Sequence, residues 1–279
     1  MQKTKAKLPV LFILLTVTAV CVLRFFQLIH DTDSATGMVV SHSNISLFVY
    51  GIEFLIIILS AVYAVNRGNL TIDLEKESSD KVLRVTTVFF AISMFLDFVH
   101  QCYNCYEYIE RVSFVEYAYL VPLILSGLFA LISCFYFVSF VISINNSNYD
   151  FTNFTLIHLM PLFWAFTKLF RIMLEIVDVK IGVEICLEFL VLIFVFCFIF
   201  AFLLTIDNKK NHISKFFIFS SVALPSVAAT LVVPRYIVMI CGKGVLLSKI
   251  TYTGITYIMF GLFALVLLCD IIKHSSQKN

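Results

Sequence analysis

Charge is scarce in this chain. Asp, Glu, Lys and Arg make up 14% of its 279 residues against 61% hydrophobic ones, too few to cover the surface of a soluble globule of that size. Ten-residue segments of alternating polarity, which build an outer-membrane barrel, do not occur. No internal repeat divides the chain into two related halves, so the signature of many transporters is missing. A Walker loop, a zinc-protease helix motif and a nucleophile elbow are missing as well. No set of acid, base and nucleophile can be named, so the chain reads as a non-enzyme with no catalytic residue, metal or cofactor to assign. A net charge of +2 gives no reason to expect nucleic acid as a partner.

What the chain does have is long apolar runs. A hydrocarbon core of about 30 Å needs about 20 mostly apolar residues per helix. Eight stretches meet that length: 9–29, 43–65, 82–102, 117–142, 153–175, 183–206, 215–239 and 250–273. Backbone groups inside hydrocarbon must be satisfied within the segment, so runs this long are helices. The expected fold is all-α, a polytopic transmembrane helix bundle forming a single domain over residues 1–279, with the lipid bilayer as its first partner. Thirty Phe against one Trp suit lipid-facing and helix-packing surfaces. Lys3, Lys5 and Lys7 precede an apolar run like that of a signal peptide, but no small-x-small cleavage site follows, so the run reads as a retained first span.

Orientation follows from the bias of Lys and Arg toward cytoplasmic loops. With the N-terminus inside, twelve basic residues fall on the inner side (Lys3 to Lys278) and four on the outer side: Arg111, Lys180, Lys243 and Lys249. Both termini are therefore expected in the cytoplasm and the protein in the cell membrane. The segment 66–81 reads as a solvated inner loop, and 103–116, which alternates Tyr with acidic residues, as an outward loop.

Ionisable groups inside the membrane cost about 2.5–3.5 kcal/mol each on insertion scales and mark function by default. Here they gather toward the outer half. Arg24, Glu53, Asp97, His100, Lys168, Arg171, Glu184, Glu188 and Arg235 share one outer layer, while the inner half holds little beyond His158. Trp164, Lys168 and Arg171 follow one another at spacings of four and three, which places them on one helix face. Ser93, Asp97, His100 or Gln101, and Asn104 form a second stripe, and Glu184 with Glu188 a third. Arg24, Glu53, Asp97, His100, Trp164, Lys168, Arg171, Glu184, Glu188 and Arg235 are thus the candidate ligand-binding residues of a polar pocket open to the outside. Three readings stay open: structural ion pairs such as Arg171 with Glu188, a ligand pocket, or an ion path. Cys102 and Cys105 form a Cys-x-x-Cys pair at the outer end of the third span, compatible with free thiols, a disulfide or a metal.

The run Leu159, Met160, Pro161, Leu162, Phe163 and Trp164, followed by Arg171, Glu184, Glu188 and then Val232, Val233, Pro234 and Arg235, resembles a family of uncharacterised eight-span membrane proteins of clostridial-type Gram-positive bacteria. That resemblance implies the fold and no activity. Phe95 to His100 is similar to the membrane sensor domains that precede histidine kinases and cyclase domains. It implies a signalling partner, since those sensors are fused to an output domain and this chain ends at Asn279 without one. The leading expectation is a sensor- or receptor-like module taking a small polar ligand from outside. Alternatives are a secondary transporter or permease component coupled through Glu53 and Asp97, and a structural subunit of a membrane complex.

Overall fold

The computed structural model describes residues 7–31, 44–66, 81–111, 117–145, 155–178, 183–207, 214–242 and 253–275. The side chains of 7–12, 44, 111, 144–145, 155, 175–178, 183–184, 206–207, 253 and 274–275 lie outside that description. Among the described residues every regular element is helical: α1 (Lys7–His30), α2 (Asn44–Asn66), α3 (Lys81–Arg111), α4 (Tyr117–Asn145), the single turn α5 (Thr155–His158), α6 (Met160–Asp178), α7 (Val183–Asp207), α8 (Lys215–Ile240) and α9 (Thr253–Ser275). Eight helices are long and apolar enough to cross a membrane. The chain is an all-α, multi-pass membrane protein, and exposed apolar side chains such as Leu47, Phe54, Phe89 and Phe135 give it its lipid contact. An even number of crossings returns the chain to the side on which α1 begins. That side is called here the near face, and the side on which α3 ends the far face.

Two boundaries differ from the sequence reading. The third span does not end at 102: α3 continues to Arg111, 31 residues in all, or about 46 Å at 1.5 Å per residue. No Gly or Pro interrupts 103–111, and the lipid-facing stripe of Ile92, Leu96 and Val99 continues through Tyr103, Tyr106 and Ile109. Tyrosines suit the membrane interface. The fifth span is broken. Leu159 N–H bonds back three residues to Leu156 O at 3.2 Å, and Pro161 has no N–H for the carbonyl of Ile157, so the chain makes one turn and restarts at Met160.

Helix packing is cyclic. α3, α4, α6, α7, α8 and α9 each contact the next, and α9 closes on α3; the α1–α2 hairpin packs outside this ring against α8. Along its most apolar stretch 72% of the residues of α8 are buried, against 28% for the corresponding stretches of α1 and α2, so α8 is the helix shared by ring and hairpin. It runs unbroken through Pro225 and Pro234. The hydroxyls of Ser221, Ser226 and Thr230 bond back to the carbonyls of Phe217, Val222 and Val227. α9 approaches closely at Gly261, where a Cβ would lie 2.7 Å from Pro225 Cα.

Aromatic side chains fill the ring. Phe90 of α3 lies 4.3 Å from Phe137 and 4.2 Å from Phe260 between ring centres, and Phe263 contacts Phe137, Phe140, Phe198 and Phe202. These rings sit one to several turns closer to the near face than the polar groups of the same helices. Phe90 precedes Asp97 on α3, Phe260 follows Tyr257 on α9, and Phe198 follows Glu188 on α7.

Candidate functional site

Asp97 is the node of the far half of the ring. The i,i+4 spacing of α3 puts Ser93, Asp97 and Gln101 on the face turned inward, and all three are buried. From α6, Trp164 and Lys168 come to the same carboxylate from one helical turn. Trp164 Nε1–H donates to Asp97 Oδ2 at 2.8 Å, Lys168 Nζ donates to Oδ1 at 2.8 Å, and Gln101 Nε2 adds a longer bond to Oδ1 at 3.2 Å. Asp97 and Lys168 are 1% and 2% exposed, so this is a fully buried ion pair. Trp164 stacks on Phe260 at 5.4 Å and 17°, and Lys168 Nζ lies 5.4 Å from the indole centre, within cation–π range. The indole therefore joins the polar layer to the aromatic one.

The network rises toward the far face. Arg171 donates through one guanidinium nitrogen to Gln101 Oε1 at 3.2 Å, so Gln101 bridges Arg171 and Asp97. On the opposite wall Tyr257 Oη donates to Glu188 Oε1 at 3.0 Å, with Asp97 and Arg171 as further electrostatic neighbours of Tyr257. Thr256 donates to the backbone carbonyl of Ser93 at 3.3 Å, tying α9 to α3. Arg171, Glu188, His100 and Asn104 are half-buried, and the amide of Asn104 meets the imidazole of His100 at 3.2 Å. Burial thus increases from the His100 level down to Trp164.

Two carboxylates and two cations balance here, and Asp97 takes three donors, from Trp164, Lys168 and Gln101. Lys168 gives one of its three N–H donors to Asp97, and among the described residues no second acceptor takes another.

Not every candidate residue belongs to this layer. Arg24 of α1 is buried and bonds Gln27, whose amide reaches Ser46 of α2 at 2.6 Å. Glu53 Oε1 of α2 lies 2.9 Å from the hydroxyl of Thr230 of α8. Both lie on the seam between the hairpin and α8, outside the ring. Arg235 sits further along α8 beside Tyr236 and Tyr257. The side chain of Glu184 lies outside the described residues. None of the eight cysteines is in a disulfide, with Cys102 exposed and Cys105 half-buried, and no cluster of three metal-binding side chains occurs among the described residues.

Sequence reasoning passed over Gln27, Ser46 and Thr230, and also Asp270, which is buried near the end of α9. A polar side chain facing another helix was the available signal at Thr230, but helix azimuth was needed to use it. On the near half of the ring, Tyr136 and His158 are both buried and meet edge to face at 5.2 Å.

Compared with known proteins, the chain matches no family model, no curated protein and no solved structure.

Proposed function

We propose that this protein is a sensor- or receptor-like module of the cell membrane. In this reading it binds a small polar ligand with hydrogen-bond acceptors, which enters from the far face, taken as the outside, between α3, α6, α7 and α9. The observation that carries the reading is the layering of the ring. Buried donors on Lys168 and half-buried groups on Arg171, His100 and Glu188 lie above an aromatic plug of Trp164, Phe90, Phe260 and Phe263. Polar groups that stop at a dry aromatic layer suit binding from one side better than passage through. Both termini face the cytoplasm on the Lys and Arg bias, where a partner protein supplies the signalling output.

The test is labelling with a membrane-impermeant thiol reagent in intact cells, on single-cysteine variants in a cysteine-free background. His100→Cys and Glu188→Cys are expected to react quickly, Lys168→Cys slowly and Phe263→Cys not at all. A polar compound that binds is expected to slow labelling of His100→Cys, which keeps Lys168 in place. Equal labelling of Phe263→Cys would reveal a water path through the plug and sink the reading.

The buried polar residues of the near half, His158, Tyr136 and Asp270, favour a second reading. Alternating access needs polar groups on both sides of a plug, so a secondary transporter or permease component is the alternative, and substrate uptake into proteoliposomes decides for it.

A further inference from the structure

Glu53 differs from Asp97 in its partners. It is 3% exposed and lies eight residues, about 12 Å at 1.5 Å per residue, inside the Ile45–Asn66 span. Among the described residues no Lys, Arg or His pairs with it; its hydrogen-bond partner is the hydroxyl of Thr230. That hydroxyl lies 2.9 Å from Glu53 Oε1 and 2.8 Å from Val227 O. A threonine hydroxyl has one proton and two lone pairs, and a backbone carbonyl has none to give. That single proton cannot serve both acceptors at once, whereas a proton on Glu53 satisfies both contacts, with Thr230 donating to Val227 O and accepting from Glu53. An ionised Glu53 would draw the Thr230 proton away from Val227 O and would leave an unpaired charge in the membrane interior, which costs several kcal/mol.

We infer that Glu53 and Thr230 form a proton-binding site at the seam between the α1–α2 hairpin and α8, with Glu53 a carboxylic acid that donates to Thr230 Oγ1. The inference is independent of the ligand layer in the ring. It also gives Pro234 a role. With no N–H, Pro234 leaves the carbonyl of Thr230 without its helical donor, so the backbone ladder of α8 is open beside the acid. When the seam admits water, the O–H bond of Glu53 breaks and its proton passes to hydroxide, forming water. The Thr230 hydroxyl then turns from Val227 O to the new carboxylate. Proton release is thereby coupled to the local hydrogen bonding of α8, the helix shared by ring and hairpin.

The other titratable groups around the acid are few. From α1, Cys21 is an electrostatic neighbour and donates to Ala229 O at 3.7 Å, while Arg24, one turn further out, is bonded to Gln27. On α2 itself there is Tyr50, and from α8 Arg235, whose neighbours are Tyr236 and Tyr257.

Infrared difference spectroscopy on the full chain in nanodiscs tests the site, comparing neutral with strongly alkaline buffer, H2O with D2O, and sodium with choline. The wild type is expected to show a carboxylic-acid C=O stretch that shifts in D2O and is insensitive to sodium. Glu53→Gln removes it, Thr230→Val moves it without removing it, and Asp97→Asn leaves it in place. A wild type with no such band, a band retained in Glu53→Gln, or a band abolished by sodium would each overturn the proposal. Should Glu53→Gln fail to fold, the wild-type spectrum and the Thr230→Val shift decide.

Discussion

Asp97 and Lys168 show how a buried charge is tolerated in this protein. Their pairing is short, 2.8 Å, and Trp164 and Gln101 add two further donors to the carboxylate. Removing one partner leaves an uncompensated charge, which costs about 3–5 kcal/mol in buried pairs, whereas removing both costs much less. In denaturant titrations in mixed micelles, Asp97→Asn and Lys168→Met are each expected to destabilise strongly. The double variant is expected to recover most of that loss, and simple additivity would show that the two groups do not rely on one another. Trp164 is the chain's single tryptophan and is fully buried, so intrinsic fluorescence reports on this node alone. Its emission is expected to be blue and unquenched by aqueous iodide. Trp164→Phe keeps a ring over Phe260 but drops the donor to Asp97, an expected loss of about 1–3 kcal/mol, read in the same titration. Iodide quenching in the wild type would place the indole in water and contradict the sealed base of the layer.

At the scale of elements, α8 and α9 depend on a glycine. At Gly261 a methyl group would meet the backbone of Pro225 at 2.7 Å, and backbone cannot swing aside as a side chain does. Gly261→Ala is therefore expected to push the helices apart and cost about 1–3 kcal/mol, the usual range for overpacking. Gly51 on α2 has nothing within 4 Å of its added Cβ, so Gly51→Ala is the control and should be neutral or slightly stabilising. Comparable melting shifts for both variants would remove the close approach as the cause. The eight apolar runs were legible as helices because hydrocarbon leaves no other way to satisfy the backbone. Two details were not. The extension of α3 to Arg111 is polar enough to look like a loop, and only its stripe of Tyr103, Tyr106 and Ile109 in line with Val99 shows it continuing the helix. The break at Leu159 needed the backbone bonds around Pro161, since proline elsewhere, at Pro122, Pro225 and Pro234, stays within continuous helices.

At the scale of the whole molecule, the six-helix ring and the hairpin outside it divide the polar residues into separate groups. The ring holds Asp97, Lys168, Arg171, Glu188 and Tyr257, and the seam holds Arg24, Gln27, Ser46, Glu53 and Thr230. Orientation belongs to this scale too. Reporter fusions at the N-terminus and at the C-terminus are both expected to read as cytoplasmic, following the excess of Lys and Arg on the near side. A phosphatase fusion active at either end would invert the entry side of the ligand and with it the labelling pattern expected at His100 and Glu188.

The sequence by itself determined that this is an all-α protein of eight spans with its membrane-embedded charge concentrated in one half of the span length. Both follow from one-dimensional facts: hydrocarbon thickness sets helix length, and position along a span sets depth. Which charges meet was decided only by the tertiary structure. Asp97 and Lys168 are 71 residues apart, and Glu53 and Thr230 are 177 apart. Local periodicity gives each helix a polar face, but not the neighbour toward which that face is turned. The order of helices around the ring supplies that neighbour. It turns a layer of candidate charges into a buried, hydrogen-bonded ion pair in one place and an acid facing a single hydroxyl in another.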